Sequence, residues 1–127
     1  MRLEVMAGKP TESAGAVRAF FRIADAWGLS RAERATLLAA STRSVDRWKN
    51  SAESAEPSRD QLERISYVIS IYGGLHAILG ESPFADQWVR NRNADFGEDA
   101  PLQRMLAGNV GDLADVRRYV DAWRVGW

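Results

Sequence analysis

The stretch from Leu29 to Asn50, LSRAERATLLAASTRSVDRWKN, constrains the fold more than any other part of the chain. Ser30 and Glu33, three residues apart, form the pattern of a capping box, which predicts a helix that begins at this serine. The small side chains of Ala39 and Ala40 leave room for a sharp turn, and the following Ser41 is a second N-cap candidate. The sequence therefore predicts two short helices separated by a tight turn.

The second of these helices has two different faces. Val45 and Trp48 are three residues apart, which places both side chains on one inward face. The other side chains are mostly polar or cationic and face outward. A major groove of DNA admits one α-helix, and arginine, lysine, serine and threonine contact its base edges and phosphates. We therefore predict a helix-turn-helix. Its predicted DNA-binding residues are Thr42, Arg43, Ser44, Arg47 and Lys49.

Two features of the same stretch count against DNA binding. Asp46 places a carboxylate on the outward face, where it would repel phosphate groups. The turn also lacks the glycine that is often found between the two helices. An αα-hairpin whose outer face is merely solvated would show the same pattern, so this alternative stays open.

Charge is divided unevenly along the 127 residues, although the net charge is zero. Residues 1–50 contain 9 Lys and Arg against 5 Asp and Glu, or +4, whereas residues 51–127 contain 8 against 12, or −4. The basic first half suits a nucleic-acid partner, although the imbalance is modest. The chain has no cysteine, which excludes a disulfide framework and a thiolate zinc site. No signal-peptide pattern or membrane-spanning apolar run is present, so we expect a cytoplasmic protein with no membrane partner.

Apolar side chains recur at helical spacing through the rest of the chain, which predicts an all-α fold. The longest predicted helices are residues 13–27, 58–79 and 111–123. The second of them begins with another capping box, Ser58 and Gln61, and contains the pair Gly73-Gly74, which predicts a close helix contact or a kink. We predict a flexible lead at residues 1–12, a helix-turn-helix and dimerisation region at 13–80, and a small helical domain at 81–127.

The back half of the chain carries an ordered motif. It consists of Trp88, the segment NADFGEDAPLQRMLAGN from Asn93 to Asn109, and a closing helix. These residues resemble the toxin-binding domain of the Xre/MbcA/ParS antitoxin family. The matching positions are Asn93, Phe96, Gly97, Pro101, Leu102, Leu106 and Gly108. The chain departs from the family pattern at Ala94, where proline is usual, and at Gln103 and Arg104, which replace an acidic-apolar pair.

The front half is similar to the Xre-like helix-turn-helix that precedes this domain in the family, with RSVDRWK in the place of the recognition helix. The resemblance implies an antitoxin, not an enzyme, that binds a RES-domain toxin, which consumes NAD or transfers ADP-ribose from it. It also implies that the C-terminal tail obstructs the toxin's nucleotide cleft. Operator DNA binding and a homodimer or a hetero-oligomer with toxin are further expectations, and we expect no cofactor and no metal. The toxin-binding residues expected in the C-terminal domain are Phe96, Leu102, Met105, Trp123, Arg124, Val125, Gly126 and Trp127.

The final segment DAWRVGW supports a binding role independently of the resemblance. Termini are usually polar, whereas tryptophan and arginine are typical anchors of protein interfaces. The alternative is that Trp123 folds back onto the protein's own core. The same alternative is less favoured for Trp127, because it lies beyond Gly126.

Other functions are less well supported by the sequence. No paired nucleophile and base, glycine-rich phosphate loop or metal-ligand spacing indicates an enzyme. Asp112, Asp115 and Asp121 could suggest a metal site, but acidic helix faces are usually solvated. A stand-alone helix-turn-helix transcription regulator is the main alternative, and an interaction protein with a vestigial helix-turn-helix is the third.

Overall fold

The computed structural model describes residues 10–126, and within that range the chain is helical and contains no strand. The α-helices are α1 (Pro10–Ala26), α2 (Arg31–Leu38), α3 (Thr42–Asn50), α4 (Arg59–Leu79), α5 (Pro83–Gln87), α6 (Pro101–Met105) and α7 (Val110–Arg124). Short 3-10 helices occur at Ala52–Ser54, Trp88–Arg90 and Ala94–Phe96. The predicted all-α fold is confirmed.

The chain forms two compact units, the first ending at Ser66 and the second beginning at Tyr67. The division falls within α4, whereas the predicted domain boundary lies after residue 80, just past the end of that helix. Helix α4 is continuous, so neither glycine of its central pair interrupts it.

Helix α1 begins at Pro10, earlier than the predicted start near Ser13. Proline is favoured in the first turn of a helix, because its missing N–H would have no partner there. The predicted flexible lead at residues 1–12 is therefore wrong for residues 10–12, which are helical. Residues 1–9 of that lead lie outside the described residues.

The first unit packs α1, α2 and α3 around a core rich in aromatic side chains. Its buried apolar side chains include Val17, Phe20, Ala24, Trp27, Leu37, Leu38, Val45 and Trp48. The predicted capping box of α2 is present, with Ser30 N donating to Glu33 Oε1 at 2.8 Å and Glu33 N donating to Ser30 Oγ at 3.1 Å. The box predicted for α4 is also present, with corresponding distances of 2.9 and 3.1 Å between Ser58 and Gln61. These local patterns set where both helices begin.

The second unit packs the latter part of α4 with α5, α6 and α7. Its fully buried side chains include Ile71, Leu75, Leu102, Met105, Leu113, Val116 and Val120. A Cβ added to Gly74 would lie 2.6 Å from Val120 Cγ1, so α4 and α7 approach closely because this residue has no side chain. Gly73 has open space around the same position. The predicted close helix contact is therefore confirmed, and it depends on Gly74.

The only histidine of the chain, His76, helps to connect α4 with α5. Its Nε2 lies 2.9 Å from Asp86 Oδ1, and its ring stacks at a tilt on Tyr72 with 4.2 Å between the centroids. His76 is thus a packed residue of the second unit.

Candidate functional sites

The outward face of α3 carries the predicted DNA-binding side chains. Ser41 caps the helix by accepting from Ser44 N at 3.0 Å, and Val45 and Trp48 are only 2% and 4% exposed. With those two side chains inward, the polar face of α3 points to solvent. Of the predicted DNA-binding residues, four are exposed and one is half-buried; the exposed ones are Thr42, Arg43, Arg47 and Lys49. DNA contact by this face stays a prediction.

These side chains do not form one continuous row. Arg43 and Arg47 are four residues apart, so they occupy one side of α3. Lys49 lies on the other side, where it lines a hollow together with Arg31 and Asp46. Ser44 is partly engaged by the cap, since its Oγ lies 3.1 Å from Ser41 Oγ. The structure therefore brings Arg43 and Arg47 together and separates Lys49 from them.

The turn between α2 and α3 is made by Ala39, which has a left-handed backbone with φ 50° and ψ 45°. The carbonyl oxygen of Ala39 accepts a hydrogen bond from Gln61 Nε2 at 3.2 Å. Glycine adopts this conformation without the steric cost that an L side chain meets. The turn thus has the backbone that glycine favours, although the chain places alanine there.

A buried arginine fixes α2 against the end of α1. Arg34 Nε donates to the carbonyl oxygen of Leu29 at 2.9 Å, and Arg34 Nη2 donates to Asp25 Oδ1 at 2.8 Å. The residue is only 9% exposed, so breaking these bonds would leave a buried charge without partners. Nothing in the local pattern of α2 distinguishes Arg34 from a solvated helix cation, so this role was not predicted from the sequence.

Asp46, which counted against DNA binding, is held by an arginine of the preceding helix. Arg31 Nε lies 2.9 Å from Asp46 Oδ1, and Arg31 Nη2 lies 2.6 Å from Asp46 Oδ2. The hydrogen bonds from Arg31 hold the pKa of Asp46 below its usual value, and the positive charges of Arg31 and Lys49 add to the effect. The carboxylate is therefore ionised and compensated by cations, so its repulsion of phosphate is reduced.

Four aromatic rings form a cluster in the second unit, which we call the aromatic cluster: Trp88, Phe96, Tyr119 and Trp123. The Trp88 centroid lies 6.0 Å from Phe96, 5.8 Å from Tyr119 and 5.9 Å from Trp123. Trp88, Tyr119 and Trp123 are half-buried, so part of the cluster reaches the surface. Trp123 packs against its own unit, as one of the sequence interpretations allowed.

The loop of residues 93–99 is closed by its own backbone around Asn93. The Asn93 carbonyl oxygen accepts from Phe96 N at 2.9 Å and from Glu98 N at 3.1 Å, and Asn93 N donates to the Asp99 carbonyl oxygen at 3.1 Å. The Tyr119 hydroxyl donates to Asp95 Oδ2 at 2.5 Å and so connects α7 to this loop. The turn forms with Ala94 in the place where the family usually has proline.

The predicted toxin-binding residues fall into three environments. Leu102 and Met105 are each 1% exposed and Phe96 is 8% exposed, so these side chains pack inside the second unit and offer little surface to a partner. Trp123 is half-buried in the aromatic cluster. The exposed residues at the end of α7 are Arg124, Val125, which is 84% exposed, and Gly126. Trp127 lies outside the described residues.

Phe84 is an exposed aromatic residue that is not among the predicted binding residues. Its side chain is 70% exposed, because α5 is a five-residue helix whose buried side is occupied by Ala85. Trp88 follows one helical turn later, which brings the two aromatic residues to neighbouring positions. An exposed aromatic side chain is a common interface anchor, and the signal that could have revealed it was the shortness of the apolar pattern after Pro83.

Two absences apply to residues 10–126. None of their helices combines the length and apolar composition needed to cross a membrane. No group of three or more His, Cys, Asp or Glu side chains in the same range could hold a metal ion.

The fold and these surfaces define a class of protein, a helix-turn-helix protein with a second helical unit at its C-terminal end. Residues 6–70 match the antitoxin Xre-like helix-turn-helix domain, and residues 75–126 match the antitoxin Xre/MbcA/ParS C-terminal toxin-binding domain. The chain therefore belongs to the Xre/MbcA/ParS antitoxin family, a family of regulatory proteins, as the resemblance indicated.

A relative in Sinorhizobium fredii (strain NBRC 101917 / NGR234), described as the uncharacterized protein y4oB, is 40% identical over 111 residues. The match covers 87% of this chain and 84% of the relative. The similarity thus extends into both units of this chain.

Proposed function

We propose that this protein neutralises a RES-domain toxin that consumes NAD or transfers its ADP-ribose. In this proposal the C-terminal residues 124–127 cover the nucleotide cleft of the toxin, while α3 binds operator DNA and represses the protein's own operon. The match of residues 75–126 to a toxin-binding domain is the observation that carries the first part. The match of residues 6–70 to a helix-turn-helix domain supports the second.

The end of α7 exposes a cationic and an apolar side chain, which suit binding to a nucleotide cleft. Arg124 is the last residue of the helix and is exposed, and Val125 beyond it is 84% exposed. An arginine guanidinium binds phosphate groups in a bidentate geometry, so it suits a cleft shaped for the diphosphate of NAD. Phe84 offers a second apolar contact for the surface around that cleft.

The toxin-binding part is tested by co-expressing the chain with a RES-domain toxin. We expect a variant that lacks residues 124–127 to lose growth protection, while its circular dichroism spectrum and melting temperature stay close to those of the full chain. The matched control is Gly73→Ala, because Gly73 is exposed with open space around it and lies outside residues 124–127 in the sequence. Full protection by the truncated chain would contradict the role of the tail.

The DNA-binding part is tested with the double variant Arg43→Ala, Arg47→Ala in gel shifts on the upstream region of the operon. We expect loss of the shift and a flatter dependence of log K on log salt concentration, because each phosphate contact releases counterions. A matched control removes two exposed arginines of the second unit, Arg92 and Arg118. Equal binding by the α3 double variant would mean that DNA binds elsewhere.

A stand-alone transcription regulator is the second candidate, favoured by the exposed arginine pair of α3. It predicts operator binding that is sensitive to the double variant Arg43→Ala, Arg47→Ala. It also predicts that co-expression of the intact chain does not relieve the growth inhibition caused by a RES-domain toxin. The toxin co-expression experiment therefore distinguishes the two functions.

A further inference from the structure

The pair of Arg31 and Asp46 has a geometry that leaves half of the guanidinium group available. Arg31 is the first residue of α2, and Asp46 lies within α3. Arg31 Nε is 2.9 Å from Oδ1 and 3.1 Å from Oδ2 of Asp46, while Arg31 Nη2 is 2.6 Å from Oδ2. Asp46 therefore binds the Nε side of the guanidinium, and the opposite edge points away from the carboxylate.

Three N–H donors of the Arg31 guanidinium are not used by Asp46. A guanidinium group has five N–H donors in one plane, and a side-on carboxylate uses the one on Nε and one of the two on Nη2. Both donors of Nη1 and the second donor of Nη2 are left over. The Arg31 side chain is 61% exposed, and in residues 10–126 Asp46 is the partner of its side-chain hydrogen bonds. Arg31 thus presents a fork of donors whose orientation is already fixed.

The surroundings of this fork are positively charged. Arg31, Asp46 and Lys49 line one open hollow of about 270 Å³, together with Leu29, Arg34 and Val45. The trio of Arg31, Lys49 and Asp46 has two positive charges and one negative charge, a sum of +1. An anion that approaches the free edge of Arg31 therefore meets a net positive charge, even though a carboxylate is part of the site.

We propose that Arg31 is a phosphate-binding residue of the DNA interface and that Asp46 is the positioning residue that holds it. This rests on the proposed DNA binding by α3. In a helix-turn-helix, the second helix enters the major groove while the first crosses the DNA backbone, and Arg31 opens the first of these helices. The free edge of the guanidinium matches two oxygens of one phosphate. The carboxylate that counted against DNA binding in the sequence thus contributes to it.

The experiment measures binding of the full chain to two fluorescent duplexes of equal length, the upstream region of its operon and a scrambled sequence, by anisotropy over a salt series. We expect Arg31→Ala to weaken binding to both duplexes by the same factor and to lower the slope of log K against log salt by about 1. Arg31→Lys should keep the slope, because the charge is retained, and still bind more weakly, because the fork is lost. Arg92→Ala is the matched control, an exposed arginine in the other unit with a carboxylate partner, Glu98.

Asp46→Asn tests the positioning role. If Asp46 only repelled DNA, its neutralisation would tighten binding equally with Arg31 present or replaced by alanine. We expect instead that Asp46→Asn weakens binding, or tightens it less, when Arg31 is present than it does in the Arg31→Ala background. Melting temperatures of all variants show whether each one is folded.

Each result then has one meaning. Unchanged binding by Arg31→Ala, with intact binding by the wild-type chain, would overturn the phosphate role and leave DNA binding by α3 in place. A loss confined to the operator duplex would overturn it too, because it would show that Arg31 reads a base. An equal effect of Asp46→Asn in both backgrounds would overturn the positioning role. Failure of the wild-type chain to bind either duplex would overturn the proposed DNA binding and this inference with it.

Discussion

The two units of this protein use their tryptophans in opposite ways. In the first unit Trp27 and Trp48 are 2% and 4% exposed, and the exposed face of α3 carries polar and cationic groups. In the second unit Trp88 and Trp123 are half-buried and Phe84 is 70% exposed. A surface that binds DNA requires charges on a rigid support, whereas a surface that binds a protein gains affinity from aromatic side chains that are left partly uncovered. The same residue type therefore supports the fold in one unit and is placed at the surface in the other.

The units also differ in how their helices begin. Helices α2 and α3 each have a serine whose side chain accepts a hydrogen bond from the first turn. Helices α5, α6 and α7 have no such side-chain cap, and two of them begin with proline. A side-chain cap contributes about 1 kcal/mol to helix stability. The stability of the helices in the second unit therefore depends more on packing, including that of the aromatic cluster, than on capping at the helix ends.

The largest expected effect tests the two uses of tryptophan directly. Trp48→Ala should lower the free energy of unfolding by about 3–5 kcal/mol, since it removes a buried indole from the core of the first unit. Trp123→Ala should lower it by only about 1–2 kcal/mol, because that ring is already half-exposed. Urea unfolding of both variants, followed by circular dichroism, measures the difference. Equal losses would show that Trp123 is as much a core residue as Trp48.

The next effect concerns the packing on which the second unit depends. Gly74→Ala should destabilise the protein by about 1–3 kcal/mol, because the new methyl group would lie 2.6 Å from Val120 Cγ1, on a stiff β-branched side chain. Gly73→Ala, one position earlier in α4, should stabilise it by about 1 kcal/mol, since alanine favours the helix and has space there. Thermal unfolding of the pair compares them.

Val120→Ala provides the control for this contact. Alone it should destabilise the protein, because it removes buried methyl groups from the core. Combined with Gly74→Ala, however, the total loss should be smaller than the sum of the two single losses, because the methyl group that the new side chain meets is gone. If the two substitutions were simply additive, the close approach of α4 to α7 would not be the cause.

A smaller effect compares a strained turn in each unit. Ala39 and Glu98 both have positive φ values, of 50° and 68°. Glycine relieves the strain of this conformation but loses more backbone entropy on folding, so Ala39→Gly should raise the free energy of unfolding by roughly 0.5–1 kcal/mol. Glu98→Gly should raise it by less, since it also removes the 3.7 Å ion pair with Arg92. Denaturant midpoints that fall in both variants would contradict the assignment of strain.

Patterns within one helix were predictable from the sequence, and contacts between helices mostly were not. The capping boxes at Ser30 and Ser58 and the inward face of Val45 and Trp48 follow from residues three positions apart, so local spacing was sufficient. The pair of Arg31 and Asp46 joins residues of different helices, and no local pattern encodes it. The glycine pair was an exception, because a glycine inside a long apolar helix already requires an explanation.

The candidate binding surfaces were predicted less completely than the fold. Sequence order could show that Leu102 and Met105 belong to an apolar helix face, but it could not show that this face is closed by the rest of the second unit, leaving each residue 1% exposed. Phe84 is the converse case, an aromatic residue that stays 70% exposed because its five-residue helix buries only Ala85. Exposure depends on what packs against a helix, and that information is spread over the whole unit.

The smallest expected effect is on the pH dependence of stability, which should differ between a titrating contact of the first unit and one of the second. Asp46 has a lowered pKa, chiefly because of its hydrogen bonds with Arg31, so its contribution to stability is present above the ordinary aspartate pKa of about 3.9 and is lost as the pH falls through its folded value. Tyr119 has a raised pKa, chiefly because of burial and then its hydrogen bond to Asp95, so its contribution is present below about pH 10 and is lost as the pH rises further. Asp46→Asn should therefore flatten the fall of melting temperature in acid, and Tyr119→Phe should flatten it in alkali. The two variants serve as controls for each other, because a substitution that changed both limbs alike would have altered the fold in general rather than one titrating contact.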